Sequence, residues 1–197
     1  MNSLIAAPVS RSLPVALTFR PHDRVQAALY DTLAIVGGSL LVALLAQVSI
    51  PMWPVPITGS TLALLLVGGV LGARLGFLAV SLYLLEGALG MPVFAGFKGG
   101  FQHLLGHTGG FLIAFPITAG IVGYLIGRGW DRSVWSTGLA FVVGLVPTYA
   151  LGCWVLYMWG FDALALGLYP FLGATFIKIA VAMSALAGLQ RWRRPQA

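Results

Sequence analysis

The feature that most constrains this chain is a nearly continuous apolar sequence between residues 30 and 190 that carries very few charges. Asp, Glu, Lys and Arg make up only 8% of the 197 residues, whereas 59% are hydrophobic. A soluble domain uses roughly a quarter of its residues as charges to cover its surface, and a disordered chain has few apolar residues. Both classes are therefore excluded, and the sequence predicts an integral membrane protein.

Prolines, glycines and polar residues divide this apolar sequence into six segments. A helix that crosses a bilayer needs about 20 residues, so the apolar region is long enough for six crossings with short loops. We predict an all-α polytopic bundle of six transmembrane helices within residues 29–190, preceded by a cytoplasmic arm (1–28) and followed by a basic cytoplasmic tail (191–197). The spans are expected near residues 30–50, 58–71, 75–89, 108–127, 133–159 and 170–190.

The basic residues indicate the orientation of these spans. Six crossings leave both termini on one side, and Lys and Arg in short loops favour the cytoplasm. Only Lys98 falls in a loop on the opposite side, and Lys178 lies inside the last span. The other basic residues all fall on the side of the termini, so both termini are predicted to be cytoplasmic. The net charge of +6 thus reflects topology rather than a nucleic-acid partner. The basic residues on the side of the termini are Arg11, Arg20, Arg24, Arg74, Arg128, Arg132, Arg191, Arg193 and Arg194.

Lys178 is the strongest candidate for a functional residue. A lysine near the middle of a transmembrane helix costs about 2.5 to 3.5 kcal/mol on insertion scales, so it is expected to face a cavity or a partner. Snorkelling to the membrane interface is the alternative. Thr175 and Phe171 share its helix face and join it as candidate binding residues. The spacing of Thr175 and Lys178 also leaves open a hydroxyl–lysine pair of an intramembrane hydrolase.

Glu86 is the second ionisable residue expected at membrane depth. It precedes Gly90 by four positions. Its carboxylate is a candidate partner of Lys178 or Lys98, and a candidate ligand contact. The alternative is an acid at the membrane interface that reaches water.

A glycine-rich loop over residues 90–110 carries more aromatic area than a plain linker. Glycines allow close approach of the backbone to a ligand, and aromatic rings offer flat apolar walls. Phe94, Phe97 and Lys98, together with Trp53 from the first loop on the same side, are predicted to cover a pocket. His103 and His107 have the spacing of a metal pair on a helix, but no third ligand is evident. No metal or cofactor is therefore expected.

Span one carries small residues at Ala34, Gly38, Ser39 and Ala43. Such spacings let helix backbones approach closely, either within the bundle or against a partner subunit. The chain has no Gly-x-x-x-x-Gly-Lys phosphate loop, so it needs a partner to use ATP. It also has no filter repeat typical of a channel.

Several motifs, in order, resemble the BioY family, the biotin-capturing S component of energy-coupling factor (ECF) transporters. The last motif is followed by Lys178 within the same predicted span. The resemblance spans about residues 30–185. The stretches that carry it are 46–51 (AQVSIP), 54–59 (PVPITG), 72–76 (GARLG), 83–85 (YLL), 87–96 (GALGMPVFAG), 108–112 (TGGFL) and 169–172 (YPFL).

This resemblance implies a six-helix binding protein for biotin in the inner membrane of a prokaryote, with a lid from the first external loop and no enzymatic activity. It also implies a transmembrane coupling protein and two ATP-binding subunits as partners, with the small residues of span one as the docking face. The family has an acid where this chain has Thr175, and a biotin-related vitamin stays an alternative ligand. Other departures from the family pattern are Ser60, Glu86, His107 and Phe111.

Overall fold

The computed structural model describes Ala16 and residues 20–193, so most of the predicted arm and tail lies outside the described residues. The long helices form in apolar segments that lack clustered prolines. A two-stranded hairpin forms after the first helix, where the prolines exclude helix. The elements are α1 (Arg24–Gln47), β1 (Ser49–Ile50), β2 (Ile57–Thr58), α2 (Ser60–Ala88), α3 (Gln102–Leu105), α4 (Gly109–Gly127), a 3-10 turn (Trp130–Arg132), α5 (Val134–Met158), α6 (Ala163–Gly167) and α7 (Tyr169–Arg193).

Helix α2 folds back on itself at Gly72. The backbone there has φ +80° and ψ −178°, a conformation that favours glycine. A methyl group built on Gly76 would lie only 3.2 Å from Cα of Gly68, although eight residues of straight helix span about 12 Å. Ser60 and Tyr83, near the two ends of α2, line the same cavity at one end of the bundle. Helix α2 therefore supplies two antiparallel spans, and the six-span prediction is confirmed.

Three connections between helices contact one another at one end of the bundle. They are residues 48–59, which we call the lid, and residues 89–108 and 159–168. The Trp53 ring lies 5.1 Å from the His107 ring and 6.3 Å from the Phe161 ring. We call this the lid end and the opposite one the termini end, because α1 begins there and α7 ends there. Five helices in the described part of the chain are long and apolar enough to cross a membrane, α2 being one of them.

Small residues let the spans approach closely. A methyl group built on Gly68 would lie 2.6 Å from the carbonyl oxygen of Ala119, and one built on Gly123 would lie 2.3 Å from the carbonyl carbon of Gly72. These contacts join both arms of α2 to α4. The half of the bundle nearer the termini is filled by a buried apolar cluster that includes Leu65, Val122, Phe141 and Leu186.

The small residues of α1 pack inside the bundle. Gly38, Ser39 and Ala43 are buried, and a methyl group built on Gly38 would lie 2.8 Å from Cβ of Ala79. The Ser39 hydroxyl donates a hydrogen bond of 2.5 Å to Glu86. Ala34 is only half-buried. This arrangement corresponds to the internal-packing alternative rather than to an open docking face.

We predict that Gly123→Ala destabilises the protein by about 1–3 kcal/mol, because the added methyl group overlaps backbone atoms of Gly72. The measurement is thermal unfolding of the purified protein in detergent. Gly127→Ala is the matched control, since it lies one turn later in α4 with nothing within 4 Å of the added carbon. Equal melting temperatures for the two variants would contradict the close packing.

Candidate functional site

A cavity of about 330 Å³ lies at the lid end, between the lid, the connection of residues 89–108 and the helices beneath them. Its volume is within the range of small-molecule sites. The lid contributes Ser49, Pro51, Met52, Trp53, Pro54, Val55, Pro56 and Thr58, and the next connection contributes Phe94, Ala95, Gly96, Lys98, His103, His107 and Thr108. The helices contribute Ser60, Thr61, Tyr83, Phe111, Leu112, Phe115, Thr148, Tyr149, Phe171 and Lys178.

Lys178 lines this cavity rather than facing lipid. Its Nζ donates hydrogen bonds to the carbonyl oxygen of Thr58 at 2.7 Å and to the hydroxyl of Thr61 at 2.8 Å. An ammonium has three N–H donors, so one is left for a ligand. Within residues 20–193, no carboxylate forms an ion pair with Lys178. A cation with neutral partners is thus present beside the cavity.

Aromatic rings form the apolar walls. Phe171 is buried and stacks on Phe111 with ring centroids 6.0 Å apart, and the Tyr149 ring meets its edge at 6.3 Å. On another wall, the Tyr83 ring lies 5.6 Å from the Phe94 ring in an edge-to-face arrangement. Offset and edge-to-face pairs are the favoured geometries of aromatic rings. The walls are therefore held in place by packing before any ligand binds.

Thr175 lies behind the cavity wall. Its hydroxyl is hydrogen-bonded to the hydroxyl of Tyr149, which lines the cavity. Thr175 therefore reaches the cavity only through Tyr149. Lys178 donates to the hydroxyl of Thr61, whereas the Thr175 hydroxyl is paired with Tyr149, so the structure shows no Thr175–Lys178 hydrogen bond of the kind that the hydrolase alternative requires.

The remaining candidate residues fall into two groups. Trp53, Phe94 and Lys98 line the cavity. Trp53 lies at its mouth, and 74% of its side chain is exposed. Glu86 lies outside it, where it accepts the hydrogen bond from Ser39. Phe97 also lies outside: its side chain is 73% exposed and its φ is +56°.

Gln47 is a positioning residue beside the site that the sequence analysis missed. Its Nε2 donates to the carbonyl oxygens of Ala43, Val93 and Phe94, each at 3.2 Å, and its Oε1 accepts from the Phe97 N–H at 2.9 Å. Phe94 and Lys98 also pair through their backbones. Gln47 thereby fixes the loop that carries both of these side chains. The sequence signal that could have indicated this role is an amide side chain at the last residue of an apolar helix.

We predict that Gln47→Ala increases hydrogen exchange of the backbone amides in residues 93–98, because the Phe97 N–H loses its acceptor. Exchange measured by mass spectrometry on the purified protein is the test. Gln26→Ala is the control, since Gln26 is an exposed glutamine of the same helix. Unchanged exchange in the Gln47 variant would show that the loop is held by other contacts.

Comparisons with known proteins agree on one family. The model of the BioY family matches residues 18–195. A Pyrococcus horikoshii protein named probable biotin transporter BioY is 44% identical over 147 residues, which are 74% of this chain and 86% of the relative. The biotin transporter BioY of Thermotoga maritima is 39% identical over 161 residues, covering 80% and 89% of the two chains.

A solved structure shares the fold. The S-component for biotin from an ECF-type ABC transporter superposes with a TM-score of 0.77 at 22% sequence identity. The match covers 87% of this chain and 95% of that one. It supports the predicted arrangement of the six spans.

Proposed function

Because this chain belongs to the BioY family, we propose that it is the membrane-embedded substrate-binding component of an ECF-type system for high-affinity biotin uptake. It is a transport protein and not an enzyme. The observation that carries the proposal is a preformed cavity at the lid end with the Lys178 ammonium on its wall. None of the buried residues of the apolar cluster nearer the termini lines this cavity, which favours a binding protein over an open channel.

The cavity matches the chemistry of biotin. The vitamin has a ring system with two N–H donors and a carbonyl oxygen, and a tail that ends in a carboxylate. Lys178 offers an N–H donor, the hydroxyls of Ser60, Thr148 and Tyr149 offer acceptors, and the aromatic walls cover the apolar part. Phe171 is a central part of those walls.

A biotin-related vitamin is the second candidate, and one observation favours keeping it. None of the residues that line the cavity is Asp or Glu. The N–H donors of the biotin ring therefore meet hydroxyls, which are weaker acceptors than a carboxylate. A titration of the purified protein with biotin and other vitamins distinguishes the two candidates.

We predict that Lys178→Met weakens biotin binding by about a hundredfold or more, because it removes a charge-assisted hydrogen bond and the side chain that orders Thr58 and Thr61. Isothermal titration calorimetry in detergent measures the change. Ser184→Ala, a control in the same helix, is expected to keep the original affinity. If Lys178→Met binds biotin as tightly as the unmodified protein, the site assignment is wrong.

We propose that the termini end faces the cytoplasm and the lid end faces the outside of a prokaryotic plasma membrane. The support is the charge distribution. Arg24, Arg74, Arg128 and Arg132 lie at or near the termini end, whereas the connections at the lid end carry Lys98 alone among Lys and Arg. In this orientation the cavity opens to the compartment from which a vitamin is taken up.

Cysteine labelling in intact cells tests this orientation. In a Cys153→Ser background, Leu105→Cys places an exposed thiol at the lid end, and Val134→Cys places one at the termini end. A membrane-impermeant maleimide is expected to label the first and not the second. The reverse pattern would contradict the orientation.

We further propose that a transmembrane coupling protein and two ATP-binding subunits supply the energy. The chain has no phosphate-binding loop of its own. The solved structure with the same fold is described as part of an ECF-type ABC transporter. Capture of the vitamin in the lid-end cavity would then be followed by release driven by the partner subunits.

A further inference from the structure

The connection of residues 89–108 exposes several large apolar side chains outside the cavity. Leu89, Met91, Phe97 and Phe101 are each at least half exposed, and none of them lines the cavity. We call these four side chains the apolar edge. The edge carries no charge, because the lysine and both histidines of this connection line the cavity instead. A group of exposed apolar side chains of this kind marks an interaction surface.

Backbone contacts hold the two parts of the apolar edge together. A methyl group built on Gly99 would lie 2.3 Å from the carbonyl oxygen of Met91. The N–H of Gly100 donates to the carbonyl oxygen of Gly87 at 2.7 Å. The backbone between the two phenylalanines therefore packs on the backbone beside Leu89, and the four side chains belong to one surface.

The helical part of this connection points its side chains in different directions. Residues 101–104 have helical backbone, in which successive side chains are rotated by about 100°. His103 lines the cavity, and Leu104 packs against the buried core. Phe101 is then roughly opposite His103, and Gln102 is roughly opposite Leu104. The Phe101 ring therefore faces outward from the bundle, whereas Gln102 faces away from the core.

Phe97 occupies a backbone conformation that favours glycine. Its φ is +56°, and a bulky side chain reaches this region only at an energetic cost. Gln47 holds the conformation by accepting a hydrogen bond from the Phe97 N–H, yet the ring itself is exposed. Exposure of a phenylalanine ring to water adds a second cost. A contact outside the protein that shelters the ring would offset both.

The length of α1 indicates what this contact is. Asp31 is the last charged residue of α1, and it forms an ion pair of 2.7 Å with Arg20 near the termini end. The uncharged residues from Thr32 to Gln47 span only about 24 Å at a rise of 1.5 Å per residue. The hydrocarbon core of a bilayer is about 30 Å thick. About 6 Å of hydrocarbon therefore extends past the end of α1 at the lid end.

The apolar edge continues the lipid-facing side of α1. Leu40, Leu44 and Val48 are exposed at successive turns of this helix and its cap. Gln47, next to Val48, holds the backbone of Phe97. The edge thus begins where the exposed apolar side of α1 ends, at the depth that the additional hydrocarbon covers.

We infer that the apolar edge is a membrane-interaction surface, inserted into the leaflet at the lid end at the boundary between headgroups and acyl chains. The lipid shelters the exposed rings. Because Phe94 and Lys98 belong to the same loop, the bilayer also supports one wall of the cavity. This inference goes beyond the proposed function, since it does not depend on the vitamin that binds or on the side of the membrane that the lid end faces.

Fluorescence quenching in phosphatidylcholine vesicles tests the insertion on the full chain. In a Cys153→Ser background, Phe97→Cys and Phe101→Cys each carry a bimane label, and Gln102→Cys is the matched control on the exposed polar side of α3. The vesicles contain lipid with a nitroxide near the start of the acyl chain, and iodide is added on both sides in a separate measurement. Labels at residues 97 and 101 are expected to lose about half of their fluorescence to the nitroxide and little to iodide. The label at residue 102 is expected to show the reverse preference.

The label at residue 101 decides the outcome, because Phe101 has ordinary helical backbone and its variant does not depend on the strained position 97. Iodide quenching at residue 101 as strong as at residue 102 would overturn the inference. Protection of residue 101 from both quenchers would show that protein rather than lipid covers the edge, and would overturn it equally. Loss of that protection when the protein is diluted in the bilayer would identify a second copy of the chain as the cover.

Discussion

The Lys178 ammonium, held by the carbonyl of Thr58 and the hydroxyl of Thr61, is the interaction on which the lid end depends. A charge at membrane depth is stable only where the protein surrounds it with polar groups. Its two acceptors belong to the end of the lid and to the first turn of α2, so the bond joins the last helix to both. The same requirement excludes lipid from this position, which leaves a cavity lined by protein.

The scaffold around that cavity is set by close backbone contacts elsewhere in the bundle. The reversal at Gly72 brings Ser60 and Tyr83 to the same cavity at the lid end, although they are 23 positions apart in the sequence. Gly68 and Gly123 allow α4 to pack against both arms of α2. Gln47 then holds the loop that presents Phe94 and Lys98. Residues that never touch a ligand thus decide where the lining residues lie.

The cavity combines basic groups at its mouth with hydroxyls and one ammonium further in. Thr175, which is Asp or Glu in the family pattern that the sequence resembles, lies behind Tyr149 and offers the cavity no carboxylate. The polar contacts of a ligand near Lys178 therefore come from hydroxyls and the lysine.

The sequence alone determined the membrane class, the number of spans and the clustering of arginines at one end, because each follows from counting apolar and charged residues along the chain. It also predicted that Lys178 faces a cavity, as it does in the structure, since a lone charge in an apolar helix is informative without any structure. The tertiary structure decided which way other side chains point. Glu86 bonds to Ser39, Phe97 lies outside the cavity, and Gly38 packs against Ala79. These outcomes depend on the rotation of each helix and on loop geometry, which are set by contacts between residues far apart in sequence.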